Sequence, residues 1–441
     1  MPSDVFRIML SLPAQGAAET EATIVQWHVG SGDTIDKGQV LAQVDSAKSI
    51  FDFEAPCAGT VVQVLRGAEE VVSYEEAVIE IETSDASMKD WIPPAATTTE
   101  PEQVVPVEAA ALVAPSRSGV PVCSIVGLGS SLPSRVVANS ELVADFPDIS
   151  EEYIQQVTGV QQRHWIADDE KPSDLAFEAS REAMSDAGVD PDEIDAVILA
   201  TATPDVAMPS TACILQQRLG LRPVPAFDLN AACSGWLYSL SMSRAMIAAG
   251  MAKNVLAVGV DAQSRLVDRS DYTTCFLFGD GAGAAVVSAG DRGHELRHTL
   301  IGADSSGLQL ARREEPGFFV ANGRSEFDPW IRMDGQALFR FAAGAFATLI
   351  RDAAAASGWE LDDVRWVVPH QANARILKAA AKRCGVPFDR VFVNVDRVGN
   401  TSSASIPLAL AEMRDRIQPG DKVILCSVGA GITTGVVTLE W

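Results

Sequence analysis

Three residues in separate segments of this 441-residue chain stand where a side chain can do chemistry: Cys233, His370 and Asn400. Cys233 ends the apolar run Pro225-Ala-Phe-Asp-Leu-Asn-Ala-Ala-Cys-Ser-Gly235, and a helical pattern follows from Trp236 to Ala249. A sulfur near a helix N-terminus meets unpaired amides and the positive end of the peptide dipoles, which favour thiolate over thiol and suit a nucleophile. Position alone leaves open the commoner fate of a lone cysteine, inert burial, which fits Cys213 in a helical run and Cys426 in a strand better. His370 follows the strand Val367-Val-Pro369 and is expected to open a helix, His370-Gln-Ala-Asn-Ala-Arg-Ile-Leu377, where a sheet meets a helix end in a cleft. Asn400 lies in Arg397-Val-Gly-Asn-Thr-Ser-Ser-Ala-Ser-Ile-Pro407, whose small residues allow a side chain to be presented inward or simply turn the chain.

Other segments carry weaker chemistry. Lys48, in Val44-Asp-Ser-Ala-Lys-Ser-Ile50, sits between two β runs and is expected at an exposed hairpin tip. Phe278-Gly-Asp-Gly-Ala-Gly283 lacks the spacing and the Lys-Ser/Thr ending of a phosphate loop, so close backbone packing is expected there, and Gly127-Leu-Gly129 reads as a tight turn. Arg375, Lys378, Lys382 and Arg383 fall at helical spacing and form a basic face within an acidic protein. Seven cysteines without a C-x-x-C pair provide neither a disulfide framework nor a zinc-ligand spacing, so no metal is expected and most cysteines should be reduced and buried.

The elements that must position these residues fall into two regions and a linker. Residues 1–84 alternate short Val/Ile-rich runs with Gly, Asp and Ser turns, and Gly32-Asp-Thr-Ile35 through Leu41-Ala-Gln-Val44 is echoed by Ala68-Glu-Glu-Val71 through Val78-Ile-Glu-Ile81. This predicts a small all-β domain of two similar sheets packed face to face. Residues 85–120 turn to Ala, Pro, Thr, Val and Glu without an apolar period, the composition of a linker. From 121 onward strands alternate with helices, including helices over 172–187 and 210–219, and similar elements recur in the last third of the chain. An α/β layered fold follows, with halves expected at 121–290 and 291–441.

Net charge is -25, and residues 1–120 hold 19 acids against 6 bases. Such a field repels phosphate backbones and anionic lipid surfaces, so neither nucleic acid nor membrane is an expected partner. No apolar run approaches the ~20 residues that span a bilayer, and the first residues lack the basic and apolar regions of a signal sequence. A cytoplasmic location is expected.

Residues 122–441 resemble β-ketoacyl-acyl-carrier-protein synthase III of the thiolase superfamily, through Ala232-Cys-Ser-Gly235, Phe278-Gly-Asp-Gly-Ala-Gly283, Val368-Pro-His-Gln-Ala-Asn373, Gly399-Asn-Thr-Ser-Ser402 and Gly429-Ala-Gly431. The resemblance implies a layered αβαβα core of two related halves and a homodimer. It also implies that Cys233 takes an acyl group, that His370 and Asn400 hydrogen-bond the thioester oxygen of a malonyl group as CO2 leaves, and that the amides of Cys233 and Ala430 form an oxyanion hole. It further makes the basic helix a dock for acyl carrier protein and Met208 part of the acyl pocket. Tyr153, Val157 and Tyr272 replace the family's aromatic and cationic contacts to coenzyme A. Residues 1–84 resemble lipoyl domains, matching at Glu21-Ala-Thr-Ile-Val-Gln-Trp27, Gly32-Asp-Thr-Ile35, the Lys48 tip and Ala55-Pro-Cys-Ala-Gly59, which implies a flattened β-barrel with a lipoyl group on Lys48. Ala47 and Ser49 depart from the usual flanks of that lysine, and the methionines that flank a biotinyl lysine are absent.

The chemistry expected is Claisen condensation of an acyl thioester, carried by coenzyme A or the lipoyl arm, with malonyl-acyl carrier protein. An Asn donates a hydrogen bond without ionising, which suits an enolate; an acid there would suit proton abstraction or transfer to oxygen. Two alternatives remain: a non-decarboxylating acyltransferase of secondary metabolism, and a non-catalytic lipoyl carrier or scaffold partnered with 2-oxoacid dehydrogenase components.

Overall fold

The computed structural model describes residues 5–13, 21–46, 50–68, 70–74, 76–89, 121–314 and 328–441, in two compact units, Met1–Pro106 and Val107–Trp441. The first unit holds two four-stranded antiparallel sheets. One orders Phe6–Ser11, Ala77–Thr83, Gly59–Val64 and Thr34–Ile35; the other orders Ile50–Glu54, Val40–Ser46, Glu21–Trp27 and Val71–Ser73. The repeat seen in the sequence separates onto opposite sheets, with Thr34–Ile35 and Val40–Ser46 matching Val71–Ser73 and Ala77–Thr83. Leu10, Ile24, Leu41, Val61 and Ile79 are fully buried in one core between the sheets, each side chain contributing ~1.5–3 kcal/mol by leaving water. Met88, after a 3-10 turn at Ala86–Met88, joins this core, so the packed chain runs past residue 84. Val40–Ser46 and Ile50–Glu54 pair with Asp45 opposite Ile50; Lys48, Ala47 and Ser49 lie outside the described residues, as do residues 90–120, on which most of the linker expectation falls.

The second unit is built on nine strands, numbered here in chain order: β1 Cys123–Ser131, β2 Ala196–Ala200, β3 Ala226–Leu229, β4 Asn254–Ala262, β5 Asp280–Ala289, β6 His294–Ala303, β7 Val364–Pro369, β8 Lys422–Gly429 and β9 Thr433–Glu440. Their spatial order is β3-β2-β4-β5-β1-β6-β9-β8-β7. The first five strands run 3-2-4-5-1. In the second half β6, β9, β8 and β7 follow the mirror of that order, and Val391, bridged in parallel to Val367 of β7, takes the place of β3. The two related halves meet where His294 and Glu295 of β6 pair with Ile125 and Ser124 of β1.

Six long helices complete the layers: α1 Pro172–Ala187, α2 Thr211–Leu219, α3 Gly235–Ala248, α4 Gly335–Ala356, α5 Ala374–Cys384 and α6 Ser405–Met413. Trp236, Leu237 and Leu240 of α3 share one core with Ile406, Ala409 and Leu410 of α6, forming the central helical layer. Helices α1 and α2 cover the outer face of the first half, and α4 and α5 that of the second. Helix α1 begins with Pro172 at its first turn and ends at Gly188, whose φ of 60° suits a residue without Cβ.

Three expectations change here. Gly127 and Gly129 lie inside the extended strand β1 rather than in a turn, because a Cβ at Gly129 would stand 2.1 Å from the Ala179 carbonyl oxygen and one at Gly127 2.4 Å from that of Ala183. Their absent side chains let α1 lie directly on the strand. His370 does not open a helix: α5 begins at Ala374, capped by the Asn373 carboxamide, which accepts the Arg375 N–H at 2.8 Å. Cys213 is exposed on α2, whereas Cys57, Cys123, Cys275, Cys384 and Cys426 are free and buried.

Candidate active site

Cys233 leaves β3 through a 3-10 turn, Ala232–Ser234, just ahead of α3. Ala232 has a φ of 46°, a left-handed conformation that costs a residue with a Cβ ~1–3 kcal/mol and persists only when its surroundings hold it. The hold is visible: the Ala232 N–H donates to Asn230 Oδ1 at 3.1 Å, Thr433 Oγ1 donates to the Ala231 carbonyl at 2.7 Å, and Ser427 Oγ donates to the Cys233 carbonyl at 2.9 Å. Gly429 lies so close that a Cβ there would be 2.9 Å from the Cys233 nitrogen. The β8–β9 hairpin of the second half thus fixes the nucleophile loop of the first.

Burial pushes the Cys233 thiol up to about 11, with the Asp261 carboxylate acting in the same direction. The Ser402 hydroxyl, 3.7 Å from the sulfur, and the backbone N–H groups of Cys233 and Ala430 work the other way and are outweighed. Desolvation of the half-buried sulfur thus opposes the thiolate that the helix terminus favours. Alkylation of Cys233 by iodoacetamide, followed by mass spectrometry, should accelerate roughly tenfold per pH unit from pH 7 to 10. A rate already level at pH 8 would contradict this environment.

His370 is 1% exposed, held by its own N–H to the Cys426 carbonyl at 2.8 Å and by Nδ1 to Ser405 Oγ at 2.6 Å. Burial lowers its pKa to about 3, so the imidazole is neutral at physiological pH. Gln371 anchors the turn: its Nε2 donates to the Pro369 and Phe392 carbonyls at 2.9 and 3.0 Å, and its Oε1 accepts the Asn394 N–H at 2.9 Å. Asn400 is 5% exposed, and its Oδ1 accepts the Ser402 N–H at 2.9 Å, which leaves Nδ2 as the free-facing donor, 3.5 Å from the Ala372 carbonyl. Its backbone pairs with the glycine motif, N–H to Leu277 O at 2.9 Å and C=O from the Gly279 N–H at 3.0 Å. A Cβ on Gly279 would meet the Val398 carbonyl oxygen at 2.1 Å, so this motif does serve close backbone packing.

The segment 400–405 gathers the three predicted residues: Ser402 touches Cys233, Ser405 touches His370, and Asn400 reaches Ala372, two residues after His370. Ser402, Ser405, Gln371, Ser427 and Asp261 were not singled out from the sequence. Asp261 alone left a signal, a lone acid inside the apolar strand Asn254–Ala262.

Arg375, Lys378, Lys382 and Arg383 all lie on α5, with Arg375 half-buried and the other three exposed. Met208 is 86% exposed. Tyr153 and Val157 are half-buried on the helix Glu151–Thr158, and Tyr272 is exposed with its ring edge-on to Phe146. Among the described residues no group of His, Cys, Asp and Glu is placed to hold a metal ion, and no helix is long and apolar enough to cross a membrane.

A cysteine at the head of the central helix, between two halves of one five-strand pattern, defines a thiolase-like α/β enzyme. Family models for 3-oxoacyl-[acyl-carrier-protein (ACP)] synthase III match residues 227–305 and, for its C-terminal part, 354–441; a model described as biotin-requiring enzyme matches 9–81. The β-ketoacyl-[acyl-carrier-protein] synthase III of Neisseria meningitidis is 44% identical over 320 residues, 72% of this chain and 98% of the relative. The solved structure of the synthase III from Thermus thermophilus is similar with a TM-score of 0.68 and 43% identity, covering 72% of this chain and 99% of that one. That from Pseudomonas aeruginosa has a TM-score of 0.67 and 40% identity, over 73% of this chain and 98% of its own. The chain belongs to the β-ketoacyl-acyl-carrier-protein synthase III family, and it is an acyltransferase that carries an additional N-terminal domain of the biotin/lipoyl type.

Proposed function

We propose that this protein condenses an acyl thioester with malonyl-acyl carrier protein, releasing CO2 and giving a 3-oxoacyl-acyl carrier protein. In this reading Cys233 takes the acyl group, with the N–H groups of Cys233 and Ala430 receiving the charge on the tetrahedral oxygen. His370 and Asn400 then donate to the malonyl thioester oxygen while CO2 leaves, and the carbanion attacks the acyl-Cys233. The single observation that carries the reading is the 400–405 segment, in which Ser402 lies against the Cys233 sulfur, Ser405 holds the buried, neutral His370, and Asn400 is itself buried. Asn400 Oδ1 is occupied by Ser402, so Nδ2 faces the substrate. The role of donor at Nε2 requires Ser405 Oγ, 2.6 Å from Nδ1, to donate to that nitrogen, with the ring hydrogen of His370 on Nε2. Neutral donors stabilise a developing enolate without protonating it, and the low pKa of His370 keeps it so. The exposed Lys378, Lys382 and Arg383 offer opposite charge to an acidic carrier protein. A homodimer places the exposed Met208 of each subunit at the partner's acyl pocket.

The N-terminal domain supplies the unusual half of the proposal. Its two-sheet core and the hairpin strands around residues 46–50 suit a lysine-linked swinging group, and the sequence around Lys48 lacks the methionines of a biotinyl site. A lipoyl group on Lys48 would carry an acyl chain as a thioester of its reduced thiol. The linker then raises its concentration at the second unit into the ~mM range. Uncharged Tyr153, Val157 and Tyr272, where the family places coenzyme A contacts, favour such a tethered donor.

The test supplies acyl-coenzyme A and malonyl-acyl carrier protein and follows both products. Equal amounts of CO2 and 3-oxoacyl-acyl carrier protein are expected. Acyl transfer without CO2 would establish the non-decarboxylating alternative instead. Intact mass of protein from its native host should show a lipoyl increment that disappears in Lys48→Arg; an unmodified or biotinylated mass would remove the carrier half.

A further inference from the structure

Arg163 is a fully buried cation to which the condensation scheme above gives no task. It lies on the short strand Gln162–Trp165, which pairs with Arg135–Ala138. Its Nη1 donates to the Val137 carbonyl at 3.2 Å and to Asn139 Oδ1 at 2.8 Å, and its Nη2 to the Phe276 carbonyl at 2.6 Å. All three acceptors are neutral, and the buried Nε hydrogen has no hydrogen-bond partner among the described residues. Burial lowers the guanidinium to about 10, so it keeps its charge at physiological pH. A charge taken out of water among neutral groups is costly, and packing alone is better served by an apolar side chain of similar volume.

The segment that Arg163 grips is the one that carries Asn400. The Phe276 carbonyl accepts from Arg163, and the Phe278 carbonyl accepts from Trp165 Nε1 at 3.0 Å; Arg163 and Trp165, two residues apart, share one face of their strand. Between these contacts the Leu277 carbonyl accepts the Asn400 N–H at 2.9 Å, and the Gly279 N–H donates to the Asn400 carbonyl at 3.0 Å. Both backbone groups of Asn400 are therefore paired with a strip of chain whose other carbonyls are held by Arg163 and Trp165. Arg163 also packs against the pairing itself. A Cβ on Gly399 would stand 2.9 Å from the Arg163 Cβ, and one on Gly279 3.3 Å from it. The arginine thus lies against the residue that precedes Asn400 and against one that pairs with it.

We infer that Arg163 is a positioning residue for decarboxylation: through the Phe276 carbonyl and Gly399 it fixes the Asn400 peptide, and so the place from which the Asn400 amide meets the malonyl thioester oxygen. A donor to a developing oxyanion works only within about 2.7–3.1 Å of it, and a displacement of ~1 Å can cost ~10²-fold in rate. The planar guanidinium suits the task because its fork holds Val137, Asn139 and Phe276 in fixed relation, which a single ammonium on a flexible stem does not. Acyl loading is held by other contacts. The Cys233 loop is fixed by Asn230, Ser427 and Thr433, none of which touches Arg163 by a hydrogen bond.

The inference rests on the condensing reading, and the experiment separates the two. CO2 release from malonyl-acyl carrier protein, and acylation of Cys233 by acyl-coenzyme A followed by quenched-flow intact mass, are measured on the full chain, Arg163→Met, Arg163→Lys, Asn400→Ala and the double variant of Arg163→Met with Asn400→Ala. Arg163→Met keeps an apolar stem and removes every donor; it should lower kcat for CO2 release by about 10²-fold while changing acylation less than about threefold. Arg163→Lys keeps the charge without the fork and should recover part of that loss. In the double variant CO2 release should be no slower than in Asn400→Ala, since a group that acts only through Asn400 has nothing left to position. An equal fall in both reactions, or a double variant slowed by the product of the two single effects, is the mark of a purely structural role and overturns the inference. CO2 release at the wild-type rate in Arg163→Met overturns it as well. If Arg163→Met does not fold, Arg163→Lys decides: a fall of about tenfold in CO2 release with acylation unchanged is expected, and the wild-type rate overturns the inference. A wild-type chain that acylates Cys233 but releases no CO2 sinks the condensing reading itself, and the inference with it.

Discussion

Cys233→Ala should leave a folded protein that takes no acyl group and whose condensation rate falls by at least ~10³-fold, because covalent catalysis has no substitute nucleophile in this site. The fold should tolerate the change. The sulfur is the only atom lost, while the Ser427 and Thr433 hydroxyls still hold the backbone carbonyls of the loop. Release of CO2 from malonyl-acyl carrier protein should persist, since His370 and Asn400 are untouched. The measurement is product formation beside intact mass after incubation with acyl-coenzyme A. Undiminished condensation by Cys233→Ala would sink the assignment of this residue; of the other six cysteines, Cys57, Cys123, Cys275, Cys384 and Cys426 are buried and Cys213 is exposed on α2.

The second large effect is expected from Asn400→Asp, a change of one atom. The Ser402 N–H still has an oxygen to donate to, so the side chain keeps its orientation. The group facing the substrate becomes an acceptor bearing negative charge, where the reaction builds negative charge of its own. Loss of one oxyanion donor costs ~3–4 kcal/mol, or about 10²–10³ in rate, and repulsion adds to this. Acyl loading of Cys233 should be preserved within a few-fold, so the variant stalls as acyl-enzyme, visible by mass. An Asn400→Asp enzyme that releases CO2 at the normal rate would mean that the Asn400 amide does not contact the thioester oxygen.

Much of this site was legible in the chain because its parts obey local rules. A strand ending in small residues before a helical run located Cys233, and Pro172 with Gly188 bounded α1 at the expected residues. The glycines of Phe278–Gly283 announced a close approach without saying to what; the answer, the Val398 carbonyl and the Asn400 backbone, lies more than a hundred residues downstream. The helix expected at His370 failed for a local reason, since Asn373 offers a better cap three residues later. The desolvation that opposes a thiolate has a non-local origin: how deeply a sulfur is buried depends on β8, β9 and the 400–405 segment, none of which adjoins it in sequence. Ser402 and Ser405 were hidden in the same way. A run of serines reads as a turn until the partners of each hydroxyl are known, and those partners are 169 and 35 residues away.

The doubled strand order has a consequence for how the reagents are kept in alignment. Cys233 follows β3, and Asn400 follows the Val391 bridge that stands in for β3 in the second half. In the proposed chemistry one ancestral-looking copy therefore clamps the electrophile and the other generates the carbanion, and the new carbon–carbon bond is drawn across the seam between copies. That seam is sewn by two residue pairs of β1 and β6 and by the contact of Gly429 with the Cys233 nitrogen. A slip of a single residue there is ~3.3 Å, about twice the length of the bond to be made. Substitutions along this stitch line, far from either reagent, would act as misalignments of the tool rather than blunting of its edges.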